Sequence, residues 1–390
     1  MKKNILWVLV LLLAWCGKPQ QIKIDRLVED GVEVVINHRK PYKIANEPSE
    51  LILRKILSID TEEDGTAATG VTDIYGFDVD SQGNIYILRP PTSPGDLIFQ
   101  FSNEGGFIRS LGPMGQGPNE MEYPDRILAS GDGEIWVTES PKNKYHVFAE
   151  DGRSMIEKTV ASGFETIIPM KNRNFLVSRL ITDDRQAKYF PIVMGLYDSG
   201  MNIVRELDRF EKFPNRPLAA TFNEKTVNGT GFVFLAEVSG GRIHIGNSDR
   251  RYEILVCDLE GRTRRKIRKE YDPVKVSEDY IQNYLKQYEE FMPDYAKKIY
   301  FPENWPPFQS FFSDDQGRLF VMTHEPGATP GEFIFDVFNK DGIFTARRAL
   351  DVICQRQGRI FAVARSDRLY TVSEKDSGFK RLDVFRMIWK

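Results

Sequence analysis

The sequence predicts an all-β fold, a six-bladed β-propeller built from four-stranded antiparallel blades. Three observations predict it. A tight turn followed by an alternating apolar strand recurs six times, a second glycine turn follows each copy, and the smallest spacing between copies is 40 residues. One blade cannot bury both of its faces, whereas a ring of blades covers them and leaves only short edges. A pair of β-sandwich domains is the alternative, but it would not explain the shared register.

Each copy is centred on a turn, which we call its pivot. The pivots are Gly83, Gly133, Arg173, Gly241, Gly317 and Gly358. The second residue after every pivot is apolar, and the third is mostly large and flat. The second turns are at Gly105, Gly152, Gly200, Gly261, Gly342 and Gly378. Each copy therefore provides the four strands of an antiparallel meander.

Three segments carry a resemblance to a known family. Residues 76–87 resemble an NHL-type or TolB-like blade, and residues 313–321 show the same pattern. Residues 112–120 resemble the Gly-Pro-rich link between blades of bacterial six-bladed β-propeller lipoproteins. The resemblance implies the fold from about Leu51 to the C terminus. It does not imply a function, because propellers support many unrelated activities.

The N-terminal residues 1–16 resemble a lipoprotein signal peptide. A short basic start precedes an apolar run over residues 5–14, which is shorter than the roughly 20 residues that span a bilayer. The run ends in Leu-Ala-Trp-Cys, which resembles a lipobox with Cys16 as the lipidated residue, although Trp15 departs from the small residue expected there. We therefore expect an exported protein with a lipid anchor in the cell envelope. By analogy with sorting rules, Gly17 favours the outer membrane.

Two regions lie outside the repeat. Residues 17–50 are predicted to form a linker and edge strand, and the propeller is predicted to occupy residues 51–390, with the stretch from Leu51 pairing with the last blade. Residues 277–307 interrupt the repeat before blade five. In this insert Tyr280, Tyr284 and Tyr288 recur at helical spacing, and Ser277 is a suitable N-cap. The pattern predicts an amphipathic helix.

Composition and motifs argue against several functions. The formal net charge of −3 provides no basic field for nucleic acid, so no nucleic-acid partner is expected. No cofactor or metal motif is recognised, and we expect no cofactor. The run Asp78–Gly83 begins like a calcium loop, but Arg89 occupies the twelfth position, where an EF-hand requires Glu. An ordinary blade turn is predicted instead.

The direction of the strands brings several loops to one face of the disc. The candidate binding residues on that face and on the insert are Arg89, Arg126, Glu139, Arg179, Asn247, Arg250, His324, Arg365, Tyr284, Tyr288 and Trp305. Converging arginines favour an anionic glycan or peptide, because the planar guanidinium binds carboxylate or phosphate oxygens. The alternative is a solvated rim in which acidic side chains pair with the arginines. As rim charges, Arg89 and Arg179 are expected to add little stability.

The insert also leaves two interpretations open. Its aromatic side chains either pack against the propeller or form a lid or platform for an envelope protein partner.

The sequence favours a cell-envelope lipoprotein that binds a ligand or a protein partner without catalysis. The alternative is a propeller enzyme of the metal-dependent lactonase, hydrolase or lyase type. Those enzymes place carboxylates and amides from several blades around a central ion, and the predicted loop positions do not show such a set. No catalytic residue is therefore assigned.

Overall fold

The computed structural model describes residues 24–390 except 119, 131–132, 150–151, 153–154, 161–162, 171–173, 220 and 355–358. Six blades, each a four-stranded antiparallel sheet, surround a central cavity. This arrangement confirms the predicted all-β six-bladed propeller. The lipobox predicted at Cys16 lies outside the described residues.

Three strands precede the first complete blade. They are β1 (Asp25–Glu29), β2 (Val32–Asn37) and β3 (Leu51–Asp60). The first two form a hairpin, whereas the third pairs with the last strand of the chain.

Within each blade the strands run in chain order from the cavity outwards. Blade one contains β4 (Gly76–Val79), β5 (Ile85–Leu88), β6 (Asp96–Phe101) and β7 (Phe107–Pro113). Blade two contains β8 (Arg126–Ala129), β9 (Ile135–Glu139), β10 (Lys144–Phe148) and β11 (Met155–Thr159). Blade three contains β12 (Phe164–Pro169), β13 (Phe175–Leu180), β14 (Tyr189–Tyr197) and β15 (Ile203–Pro214).

The second half of the ring follows the same order. After the short β16 (Val227–Asn228), blade four contains β17 (Phe234–Ser239), β18 (Arg242–Asn247), β19 (Glu253–Cys257) and β20 (Thr263–Lys269). After the short β21 (Ile299–Tyr300), blade five contains β22 (Ser310–Ser313), β23 (Leu319–Pro326), β24 (Glu332–Phe338) and β25 (Phe344–Asp351). Blade six contains β26 (Ala362–Arg365), β27 (Arg368–Glu374) and β28 (Lys380–Trp389), with β3 as its outer strand.

The helices lie in the links between elements. They are α1 (Asp64–Ala67), α2 (Arg216–Ala219), α3 (Glu278–Glu289) and α4 (Pro293–Ala296), with 3-10 turns at Ser140–Lys142 and Ser248–Arg250. Helix α3 confirms the predicted helical insert, and the Ser277 side chain caps it by accepting a hydrogen bond from the Tyr280 N–H. Pro293 starts α4, where its missing N–H is tolerated. Strands β16 and β21 pair in parallel and join this insert to the link before blade four.

Burial falls from the inside of each blade to the outside. All four residues of β5 are buried, whereas most of β15 is exposed. Separate apolar clusters fill the spaces between neighbouring blades, as where Leu88 and Ile98 of blade one pack with Ile127 and Val137 of blade two. Each large apolar side chain buried in this way contributes roughly 1.5–3 kcal/mol. The apolar residues after the pivots thus hold adjacent blades together.

Four of the predicted pivots are confirmed by backbone conformation. Gly83, Gly133, Gly241 and Gly317 have φ between 73° and 86°, in the left-handed region that favours glycine. The aspartate before a pivot adds a second constraint, because the Asp80 carboxylate accepts hydrogen bonds from two N–H groups of its own turn. Asp314 holds the pivot turn of blade five in the same way. The run from Asp78 is therefore a blade turn.

The predicted register is wrong in blade six. The turn between its first two strands is formed by Ser366 and Asp367, at φ of 51° and 56°. The predicted pivot Gly358 lies before the inner strand and outside the described residues. Because the real turn contains no glycine, the prediction used the nearest glycine upstream as the pivot, and the predicted strands are shifted by one. Gly378 consequently joins the second strand to the third.

The ring is closed by the N-terminal part of the chain. Strand β3 pairs with β28 from Leu51↔Trp389 to Asp60↔Arg381, which is the edge pairing that the sequence indicated. The hairpin of β1 and β2 was not predicted. It extends blade four because β2 runs parallel to β20, and Glu33 on the hairpin forms an ion pair with Arg265.

Among the described residues, no helix combines the length and hydrophobicity required to cross a bilayer.

The two cysteines within the described residues lie far apart in the ring. Cys257 lies in blade four and Cys354 precedes blade six, and no disulfide joins them in the part of the chain that the structure describes.

Candidate ligand-binding site

A central cavity of about 310 Å³ is lined by the inner strands of all six blades. We call its upper end the side on which the inner strands begin and consecutive blades are linked. Its lower end is the side on which the inner strands reach the pivot turns. The volume lies at the lower limit of the roughly 300–1,000 Å³ typical of small-molecule pockets.

Two arginines lie at the upper end. Arg126 begins the inner strand of blade two, and Arg359 precedes the inner strand of blade six. The Arg359 guanidinium donates a hydrogen bond to the Tyr75 carbonyl at 3.2 Å and lies over the Tyr75 and Phe361 rings. The Arg126 guanidinium has no hydrogen-bond or ion-pair partner among the described residues. It is a half-buried cation whose N–H donors have no acceptor in the part of the protein that the structure describes.

Burial lowers the pKa of both guanidinium groups. The pKa of Arg359 falls to about 10 because of burial and because Arg126 is close enough to repel it. Burial also lowers the pKa of Arg126, with Asp125 and Asp78 acting in the opposite direction. Both side chains remain charged at neutral pH. Two cations therefore share the upper end.

Gly76 makes this arrangement possible. It begins the inner strand of blade one, which lies between the blades that carry the two arginines. A Cβ atom at this position would lie 2.7 Å from an Arg359 Nη atom. The absence of a side chain at Gly76 therefore leaves the space into which the Arg359 guanidinium reaches.

A carboxylate faces the same space from blade three. Glu165 is the second residue of β12 and lines the cavity, with its side chain exposed to the lumen. The surrounding protein raises its pKa by desolvation, opposed by the charge of Arg216. Among the described residues, Glu165 has no ion pair or hydrogen-bond partner for its side chain.

The wall next to Glu165 is aromatic. Phe213, Phe232 and Phe234 line the cavity where blade three meets blade four. The Phe232 ring stacks on Phe210 with centroids 4.3 Å apart, and its edge contacts Phe213 at 5.8 Å. This contact network fixes the rings and presents an apolar surface to the lumen.

The lower end contains a second group of charges, with protein partners. Asp78 accepts hydrogen bonds of 2.8 Å from the N–H groups of Val79 and Ala129, and Arg365 donates to the Val79 carbonyl. Glu237 accepts a hydrogen bond of 2.8 Å from the Ser313 N–H.

Burial raises the pKa of Glu237 to about 8, and the nearby carboxylates Asp314 and Asp78 add to the shift. The Glu237 carboxyl is therefore mostly protonated at neutral pH. It is a neutral group at the floor of the cavity.

Of the residues predicted from the sequence, the structure brings Arg126 and Arg365 to this cavity. The expected convergence of Arg89, Arg179 and Arg365 on one mouth is wrong. Arg89 is only 3% exposed and donates to the carbonyls of Ser93 and Asp96, so that it holds the loop after its own strand. Arg179 lies over the Phe164 ring within blade three.

The other polar candidates are bound to residues of their own blade, of the link before it or of the neighbouring blade. Glu139 is buried, accepts hydrogen bonds from the N–H groups of Glu122 and Tyr123, and contacts His146 at 2.6 Å. Asn247 donates to the Arg209 carbonyl at 3.1 Å. Arg250 forms ion pairs with Asp208 and Glu253. These contacts match the alternative of a paired rim.

The aromatic insert is packed on itself and on the propeller. Trp305 stacks on His324 with centroids 4.8 Å apart, and burial lowers the pKa of His324 to about 4. Tyr284 and Tyr288 are half-buried with ring centroids 5.2 Å apart, and they pack against the small core around Ile299. None of these four side chains lines the central cavity in the described structure.

Sequence reasoning missed Arg359 and Glu165. Arg359 directly follows the glycine that was taken as a pivot, so the shifted register concealed it. Nothing in the local sequence distinguishes Glu165 from a carboxylate facing solvent. In the described part of the chain, no group of three or more His, Cys, Asp or Glu side chains is arranged to hold a metal ion.

Solved structures of similar fold include two proteins from Bacteroides. One, from Bacteroides fragilis NCTC 9343 and described as exported, is 12% identical with a TM-score of 0.52, and the match covers 91% of this chain and 99% of that one. The other, a DUF4221 family member from Bacteroides vulgatus ATCC 8482, is 12% identical with a TM-score of 0.50, covering 88% and 100% of the two chains. At this identity the similarity establishes the fold alone. No family model matches the chain, and no curated protein matches it.

Proposed function

We propose that this protein is an exported, lipid-anchored binding protein that holds a small anionic ligand at the upper end of its central cavity. The observation that carries the proposal is the Arg126 guanidinium, which faces the cavity without a hydrogen-bond partner among the described residues while Arg359 faces the same space.

The energetic argument starts from the cost of burying charge. A buried cation without a partner destabilises a fold, and two cations that repel each other do so further. A carboxylate or phosphate between Arg126 and Arg359 would relieve both effects. It would accept charge-assisted hydrogen bonds from two planar guanidinium groups, which is the arrangement that arginine favours.

The other walls of the cavity indicate the chemical character of the remainder of the ligand. The wall formed by Phe213, Phe232 and Phe234 is apolar, and Ile192 and Met194 extend it. Such a wall favours a ligand with an apolar body rather than a simple inorganic anion.

Export and anchoring complete the proposal. They rest on the signal-like residues 1–16, and a protein of the same fold that is described as exported is consistent with them. The Cys16→Ser variant should lose incorporation of labelled fatty acid and leave the membrane fraction. A Cys16→Ser protein that remains membrane-bound after signal cleavage would contradict the lipid anchor.

The binding site is tested by calorimetric titration of the purified full chain with 3-phenylpropionate, a carboxylate with an apolar ring. Arg126→Ala should weaken binding about tenfold or more, the effect of losing a charge-assisted hydrogen bond. The matched control is Arg386→Ala, which removes an exposed arginine on the outer part of blade six. Equal affinities for the wild type and Arg126→Ala would place the site elsewhere.

A further inference from the structure

The upper end of the cavity holds charges of both signs that are not paired with one another. Glu165 on blade three lies farther than 4 Å from the guanidinium nitrogens of Arg126 and Arg359, since no ion pair joins it to either among the described residues. Its electrostatic neighbours are Arg216 and Asp125, and the former is exposed and lies over the Phe213 ring.

An anion-binding site alone does not explain this carboxylate. Glu165 would repel an anionic ligand bound in the same cavity, because like charges destabilise each other at short range. A nearby arginine without a partner would normally turn to pair with such a carboxylate. The structure instead keeps the two signs on different walls of one cavity, and neither Glu165 nor the two arginines form an ion pair among the described residues.

From this separation we infer that the ligand is a small zwitterion with an apolar side chain, a free amino acid or a dipeptide. Its carboxylate lies between Arg126 and Arg359, its ammonium group faces Glu165, and its side chain packs on the aromatic wall. The inference rests on the proposed anion site and adds the second charge. A cavity of about 310 Å³ limits the ligand to this size.

The three contacts come from different walls. The arginines belong to blades two and six, Glu165 to blade three, and the phenylalanines to the junction of blades three and four. Three contacts on a tetrahedral carbon distinguish its mirror images. The site should therefore bind one enantiomer of an amino acid more tightly than the other.

The test compares three probes that differ by one charged group. The purified full chain is titrated with L-phenylalanine, with 3-phenylpropionate, which lacks the amine, and with phenethylamine, which lacks the carboxylate. L-phenylalanine should bind at least about tenfold more tightly than either, since each charge-assisted contact contributes that factor or more. D-phenylalanine and L-phenylalanine should bind with different affinities, and equal affinities would contradict three separate contacts.

Two variants assign the charges to residues. Glu165→Gln should reduce the affinity for L-phenylalanine to that of 3-phenylpropionate, while the affinity for 3-phenylpropionate stays the same or rises. The matched control is Glu211→Gln, an exposed carboxylate on the outer strand of the same blade, which should change neither affinity.

The outcomes separate the two proposals. If 3-phenylpropionate binds as tightly as L-phenylalanine and Glu165→Gln has no effect, the zwitterion inference is wrong and the anion site stands. If neither compound binds, both are wrong. If phenethylamine binds as tightly as L-phenylalanine and Arg126→Ala has no effect, the cavity is a cation site and both are also wrong.

Discussion

Arg89 and Arg126 are both arginines at the upper face of the propeller, yet their surroundings differ completely. Arg89 is 3% exposed, and its guanidinium donates to the carbonyls of Ser93, Pro94 and Asp96. Arg126 faces the cavity and has no such acceptor among the described residues. The same residue type on the same face therefore holds a loop in one place and leaves its donors without a described protein acceptor in the other. Sequence shows the arginine, whereas only the fold shows the partners.

The largest expected effect on stability comes from replacing Arg89. Arg89→Ala should lower the free energy of unfolding by about 3–4 kcal/mol, because the buried loop carbonyls lose charge-assisted hydrogen bonds and are left without a donor. This reverses the expectation from sequence, which treated Arg89 as an exposed rim charge. Urea unfolding measures the change, and Arg386→Ala provides the baseline for an exposed arginine. A loss below about 1 kcal/mol would show that the loop carbonyls do not depend on Arg89.

Glu237 extends the comparison to the lower end of the cavity. Its pKa of about 8 lies above the ordinary value of 4.5, so the folded protein keeps a proton that the unfolded chain releases between these pH values. The free energy of unfolding should therefore fall as pH rises from about 4.5 to 8. Glu237→Gln keeps the neutral shape and should raise the free energy of unfolding at pH 7 by on the order of 3 kcal/mol.

The change in the free energy of unfolding with pH tests this prediction for Glu237. Urea unfolding between pH 5 and pH 8 should show a smaller loss of stability for Glu237→Gln than for the wild type. Glu211→Gln, on the exposed edge of blade three, should retain the wild-type slope. Parallel curves for the wild type and Glu237→Gln would mean that the carboxyl is ionised in the fold.

Gly76 tests whether the position of Arg359 matters for binding. Gly76→Ala should displace the Arg359 guanidinium, because the new Cβ atom would lie 2.7 Å from its Nη atom. The end of a long side chain moves easily, so stability should change by less than about 1 kcal/mol while the affinity for 3-phenylpropionate falls about tenfold. Calorimetry and urea unfolding on the same preparation separate the two effects. Unchanged affinity would remove Arg359 from the site.

Most of the fold could be predicted because its signals are local. Glycines with positive φ at Gly83, Gly133, Gly241 and Gly317 appear in the sequence at fixed distances from apolar strands. The prediction for blade six was wrong because it relied on the same local signal, whereas Ser366 and Asp367 form the turn of that blade without a glycine. The hairpin of β1 and β2 pairs with a strand more than 200 residues away, and no local pattern specifies that partner.

The site was less predictable because it depends on burial. Arg126 was included from the direction of the strands, which correctly places the links between blades on one face. Glu165 and Arg359 differ from solvated charges only in what surrounds them, and six separate blades contribute those surroundings. The predicted residues Glu139 and Arg250, at the end of a second strand and in the turn after one, find partners within the protein.

We propose that Arg126, which has no hydrogen-bond or ion-pair partner among the described residues, binds the ligand. The most direct measurement is the free energy of unfolding of Arg126→Met, by urea, without ligand and with saturating 3-phenylpropionate. An apolar side chain of similar length should raise the stability of the free protein by about 1 kcal/mol, because it removes the desolvation cost of a half-buried charge that has no acceptor among the described residues. It should also reduce the added stability that the ligand gives the wild type by about 1.4 kcal/mol, the equivalent of tenfold weaker binding. A less stable Arg126→Met protein that 3-phenylpropionate stabilises as much as the wild type would contradict this proposal.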